Sequence, residues 1–194
     1  MSAKTSVAKG MSRSAVPKGQ AALNEAWRVM HFALRAVIAE PDRILATRGL
    51  TRMHHRVLFF VAHTPGMSVG ELQATLDVTK QALNAPLRQL QTQGLIELAK
   101  ADHDARVREI RLTDAGVALE AQLTGEQQRL FADAFAKAGA QAYEGWRTVM
   151  WELATHAGMK LAKTMAFAAD HRYTKVNERF IDKSINHFYS LPPI

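Results

Sequence analysis

The chain contains no cysteine. That excludes disulfides, a thiol nucleophile and a cysteine-rich zinc site. Long apolar runs are missing as well: no stretch approaches the roughly 18 consecutive apolar residues of a membrane-spanning helix. Residues 1–20 also lack the apolar middle of a secretory signal. These absences fit a cytoplasmic protein with no membrane partner. Acidic residues are in short supply, 18 Asp and Glu against 25 Lys and Arg, a formal charge of +7. Such an excess favours a polyanionic partner, most simply nucleic acid. The motifs of common catalytic sites are absent too: no phosphate-cradling glycine-rich loop, no Gly-x-Ser-x-Gly elbow, no His-Glu-x-x-His. No enzyme, catalytic residue, metal or cofactor is therefore expected.

What is present is enough for a folded domain. The 194 residues are 47% hydrophobic, sufficient for one core with an added arm or tail. Residues 1–20 read as a flexible basic arm, with Lys4, Lys9, Arg13 and Lys18 and no acidic residue. Helical spacing begins at Ala21, with Leu23, Trp27, Met30, Leu34, Val37 and Ile38 on one face. Pro41 is expected to stop this helix, because the residue before a proline disfavours helical geometry. Thr51 caps a second helix, Arg52–His63, whose later half is apolar nearly all round and belongs in the core.

Ser68-Val69-Gly70-Glu71 is a capping box opening a short third helix that reaches about Leu76. Asp77-Val78 is a tight connection, Thr79 is the next cap, and a fourth helix, Lys80–Gln93, closes on Gly94. Leu95–Leu98 and Val107–Leu112 then read as two strands around a polar, charged tip. Glu97 and Glu109 fall on those opposed strands and read as a solvated face. Thr113-Asp114 caps a long helix that Gly139 breaks, and a last strong helix carries Tyr143, Trp146, Met150 and Leu153. Residues 171–194 contain neither Ala nor Gly and form a tail of uncertain origin, with the spacing of one more amphipathic helix.

Helix, helix, short helix, helix, hairpin is the order of a winged helix-turn-helix. The fold class expected is α+β, mostly α. A winged helix-turn-helix lobe at 50–112 is flanked by a helical dimerisation module at 21–49 and 113–170. The apolar faces of the flanking helices exceed what the small lobe can cover. They predict a homodimer joined through about 21–40 and 140–165, with Trp146, Met150 and Leu153 buried. A two-fold dimer would set its reading helices about 34 Å apart, one turn of duplex.

The sequence resembles the multiple-antibiotic-resistance regulator (MarR) family over roughly residues 25–158. The resemblance is carried by Pro65-Gly66-Met67-Ser68-Val69-Gly70-Glu71-Leu72, Gly94-Leu95-Ile96, Asp104-Ala105-Arg106 and Leu112-Thr113-Asp114-Ala115-Gly116. It implies a dimeric transcription regulator that binds double-stranded DNA, often a repressor released by a small aromatic or anionic effector. The chain departs from the pattern at three positions. Pro86 lies inside the fourth helix. Ala85 stands where many members carry a polar or basic reading residue, and Leu98 where a basic residue often follows the turn. Because of them a second function class stays open: a winged-helix protein–protein module that has lost specific DNA binding.

The residue types of the helix-turn-helix suit DNA. Gln81 and Asn84 can pair with adenine through a donor and an acceptor at once. Lys80 and Arg88 can bind phosphates, and Ser68 and Thr79 can add neutral backbone contacts. Arg106 is the wing residue expected to reach DNA, and Asp104, which matches the family's acidic wing partner, would orient it. Pro86 would leave the Ala82 carbonyl without its amide donor, so a bend or break at Ala82–Pro86 is expected. His54 and His55 are adjacent and point about 100° apart on a helix, a poor arrangement for one metal ion. The resemblance further implies an effector pocket between the dimer helices and the DNA-binding lobe. Trp27, His31, Arg52 and His55 fall on elements that would line it, an aromatic face with cationic donors.

Overall fold

A computed structural model of the chain describes residues 19–100 and 108–156. The basic arm, the tip of the hairpin with Asp104 and Arg106, and the 171–194 tail lie outside the described residues. Contacts divide the chain into two units, residues 1–36 and 37–194.

Helix α1 spans Gln20–Ala46 and starts in the first unit. In its described part, 19–36, Leu23, Trp27, Val29, Met30, Phe32 and Leu34 are all exposed. His31 meets Phe32 edge-on, with ring centroids 5.4 Å apart.

The second unit takes up the end of α1, followed by α2 (Arg52–His63), α3 (Val69–Leu76), α4 (Lys80–Thr92), β1 (Ile96–Lys100), β2 (Arg108–Leu112), α5 (Asp114–Ala138) and α6 (Ala140–His156). Its core joins Ile44 and Leu45 of α1 to Val57, Leu58 and Val61 of α2, then Leu72, Leu76, Leu83, Leu87 and Leu90 of the helix-turn-helix. Ile96 and Ile110 of the hairpin, Leu119 and Leu123 of α5, and Leu50, Met67 and Leu95 from the connections complete it. These leucines recur at three- and four-residue steps, so each helix offers one apolar stripe to a shared interior.

Pro41 does not stop α1. The helix runs a further turn and more to Ala46, with Pro41 buried. A proline deprives the carbonyl four residues earlier of its donor. Here that carbonyl belongs to Val37, and Gln127 Nε2 of α5 donates to it at 3.5 Å. Nor does Pro86 break α4, which is helical from Lys80 to Thr92. The expected break at Ala82–Pro86 is thereby overturned. Ala82, whose carbonyl Pro86 leaves without a donor, is exposed, so water can satisfy that oxygen.

The strands pair antiparallel, Ile96 with Leu112 and Leu98 with Ile110. Ser68 bridges Glu109, and Ile110 N–H donates to the Met67 carbonyl at 2.9 Å, adding a short third edge. That edge corrects the reading of Glu109 as solvated. It is buried against the 66–68 segment, and its carboxylate accepts from Arg111 at 3.3 Å. Glu97 is exposed, as expected.

Thr113 ties the hairpin to α5. Its N–H and hydroxyl donate to the carbonyls of Leu95 and Gly94, at 3.2 and 2.6 Å, and its hydroxyl accepts the Gly116 N–H at 3.1 Å. The α5–α6 pair is locked by rings: Phe135 lies 5.0 Å from Tyr143 and 5.3 Å from Trp146 between centroids. Among the described residues no helix is long and apolar enough to cross a membrane.

Candidate nucleic-acid interface

Each end of the helix-turn-helix is set by short-range chemistry. The Ser68 hydroxyl accepts from the Glu71 amide at 3.2 Å, while the Glu71 carboxylate accepts from both Ser68 N–H and Ser68 Oγ at 2.9 Å. Both partners' orphan groups are thus satisfied, as a capping box requires. The Ser68 hydroxyl hydrogen is committed to Glu71. Asp77 takes the left-handed conformation, φ 51° and ψ 52°, and turns the chain. Arg56 of α2 donates to the Leu76 carbonyl at 3.1 Å, closing the end of α3. Thr79 then caps α4, its hydroxyl oxygen accepting from Ala82 N–H at 3.2 Å. Thr79 is exposed.

Leu83, Leu87 and Leu90 bury one face of α4. The opposite face carries Lys80, Gln81, Ala85 and Arg88, all exposed, with Asn84 half-buried beside them. Gln81, Asn84, Ala85, Arg88, Gln89 and Thr92 line one open concavity of about 450 Å³. Gln81, Asn84 and Arg88, the α4 residues whose chemistry suits DNA, share this surface. Ala85, already noted as a departure from the family pattern, joins them with Gln89 and Thr92, two residues the helical period would have found. No acidic residue occurs anywhere on α4, so nothing on it repels a phosphate. The far half of the helix is pinned: Gln89 Nε2 donates to the Gly49 carbonyl at 2.8 Å, and Gln93 Nε2 to that of Arg48 at 3.1 Å. Leu98 is half-buried and packs on the core, so its departure from the family pattern serves packing.

An exposed helix behind a capped short helix, with a hairpin beside it, is a winged-helix arrangement. A sequence model of the MarR family matches residues 48–107. The HTH-type transcriptional regulator PetP of Rhodobacter capsulatus is 40% identical over 128 residues, covering 66% of this chain and 77% of PetP. The chain belongs to the MarR family. It is a winged-helix transcription regulator of the helix-turn-helix type. Solved structures share the fold. The MarR family transcription regulator SP03579 superposes with a TM-score of 0.57 at 24% identity, covering 74% of this chain and 94% of that one. A MarR family protein from Bacillus stearothermophilus does so with a TM-score of 0.58 at 15% identity, covering 73% and 99%.

In this MarR-family chain the four residues singled out for an effector fall in different units. Trp27 and His31 belong to the first, and both are exposed. In the second, Arg52 is already engaged: its Nε and Nη2 donate to the two oxygens of Asp42, at 2.9 and 2.6 Å. That hydrogen bonding raises its pKa further. His55 Nε2 lies 3.4 Å from Thr124 Oγ1, and Thr124 Oγ1 donates to Glu120 at 2.6 Å. Burial pushes His55 below the usual histidine range, against the pull of the Asp42 charge. His54 points into the core, and its Nδ1 accepts from Thr51 N–H at 2.9 Å. Burial lowers its pKa as well, partly opposed by the Gln89 side chain and the Thr51 backbone. Among the described residues no three His, Asp or Glu side chains gather as a metal-binding group.

Proposed function

We propose that this regulator binds duplex DNA as a homodimer and represses transcription until a small aromatic or anionic effector releases it. The observation that carries the reading is α4: an acid-free exposed face of Lys80, Gln81, Asn84 and Arg88 on a helix capped, buried and pinned on every other side. Rigid presentation of such a face suits the major groove, with Gln81 and Asn84 toward base edges and Lys80, Arg88 and Thr79 toward phosphates. Arg106 and Asp104 belong to the same proposal, at the wing. Dimerisation is supported by the bare apolar surface of the α5–α6 hairpin, where Trp146, Val149, Trp151 and Leu153 are exposed, and by that of residues 23–34. The effector, with Trp27, His31, Arg52 and His55 as its lining, rests on the family resemblance.

A salt titration of binding to a duplex selected from a random library tests the reading. A DNA binder loses affinity steeply as salt rises, because each phosphate contact releases counterions. The second reading, a protein–protein module, draws on the apolar residues Ala85 and Pro86 of α4. Weak duplex binding with no enriched sequence would favour it.

A further inference from the structure

The exposed side of α4 is chemically divided along its length. With about 100° of rotation per residue, Gln81, Ala85, Arg88 and Thr92 fall within one stripe. On one side of that stripe lie Lys80 and Asn84, both polar. On the other lie Ala82 and Pro86. Ala82 and Ala85 are exposed and Pro86 is half-buried. Ala85 is the apolar member of an otherwise polar or charged concavity shared with Gln81, Asn84, Arg88, Gln89 and Thr92. Three small apolar groups thus sit together on a helix whose remaining outward side chains are of types that can form hydrogen bonds. None of the three belongs to the buried core, so packing does not account for them.

Of the groups a base pair presents in the major groove, one is apolar: the C5 methyl of thymine. A short side chain lets the helix approach closely enough to cover it, where a longer polar residue would hold the groove away. We infer that Ala85, flanked by Ala82 and Pro86, is a specificity determinant that reads thymine methyl groups. Gln81 and Asn84 read adenine edges in the same half-site. The two departures at positions 85 and 86 then become part of the reading surface, and the bound sequence is rich in A·T pairs at the positions facing α4. The inference rests on the proposed DNA binding and names what that interface selects.

The experiment uses the full chain and the duplex enriched from a random library. Each thymine is replaced in turn by deoxyuridine, which deletes the C5 methyl and leaves base pairing intact. Affinity is read by fluorescence anisotropy. Losing contact with one buried methyl is expected to weaken binding about fourfold, from the usual value per buried carbon. The expected result is such a loss at one or two thymines per half-site, and its disappearance in Ala85→Gly, for which thymine and uracil duplexes bind alike. Arg88→Ala should weaken both duplexes equally and keep the ratio. Deoxyuridine that is neutral at every position overturns the inference while leaving DNA binding intact. So does a penalty that persists unchanged in both Ala85→Gly and Ala82→Gly. Failure to enrich any sequence overturns the DNA-binding reading along with it. The uracil series alters only the DNA, so a folding defect in a variant cannot mimic its result.

Discussion

The α-carbon of Gly116 packs so closely on the Leu95 carbonyl that a β-carbon at residue 116 would lie 1.9 Å from that oxygen. Leu95 opens the hairpin and Gly116 lies in the first turn of α5. Thr113 holds the two together from both sides through Gly94, Leu95 and Gly116. The Thr-x-x-Gly pattern at 113–116 is therefore a joint between the hairpin and the long helix.

Gly116→Ala should accordingly be costly, since the clash is with backbone and cannot be relieved by a rotamer. Overpacking of this kind costs about 1–3 kcal/mol or more. Thermal unfolding of Gly116→Ala should show a clearly lowered Tm, whereas Gly70→Ala, where nothing lies within 4 Å of an added β-carbon, should not.

Pro41 and Gln127 should be coupled. Gln127→Ala leaves the Val37 carbonyl without a partner, at about 0.5–1.5 kcal/mol for one hydrogen bond. In a Pro41→Ala background residue 41 supplies an amide for that carbonyl, and the cost of Gln127→Ala should shrink. A double-mutant cycle by urea unfolding measures this. Additive effects would show that Gln127 does not serve the proline.

Stability should fall on mild acidification. Burial lowers the pKa of His54 and of His55 from the ordinary 6.5. Below about 6.5 the unfolded chain therefore binds protons that the folded chain refuses, until the lowered folded values are reached. In that window stability rises with pH, and above it the contribution is complete. Melting curves should be flat in this respect above pH 7 and drop below 6.5. His54→Gln with His55→Gln should reduce the slope; an unchanged slope would assign it to other groups.

Charge contacts should sort by their salt dependence. Lys80→Ala should weaken binding to all duplexes similarly and lower the salt slope by about 1, as for one lost phosphate contact. Arg106→Ala should weaken binding by about 1–3 kcal/mol without altering assembly. Unchanged affinity for the selected duplex would make Arg106 a surface charge.

Assembly should show in tryptophan fluorescence. Trp27, Trp146 and Trp151 are exposed in the single chain. A homodimer through these surfaces should shift their emission to the blue as concentration rises, in step with a doubled mass by light scattering. A monomer at micromolar concentration would count against the dimer.

What the sequence alone determined was whatever depends on neighbours within about four residues. The capping box of Ser68 and Glu71, the Thr79 cap, Gly94 at φ 65° after α4, and the three- and four-residue recurrence of leucines are all local patterns with local causes. They were enough for the order of elements and the family. Only the tertiary structure decided the rest, because the decisive partner is far along the chain. Pro41 reads as a stop until Gln127 supplies a donor for Val37, which lies 90 residues before it. Glu109 reads as a solvated charge until the segment at Met67 and Ser68 covers its strand. Leu98 reads as a lost basic residue until it packs on the core. At Gly116 the pattern was legible but its reason was not, since no local rule places the Leu95 carbonyl against that α-carbon. Such contacts come from the packing of hairpin on helix, which depends on the shape of both surfaces at once.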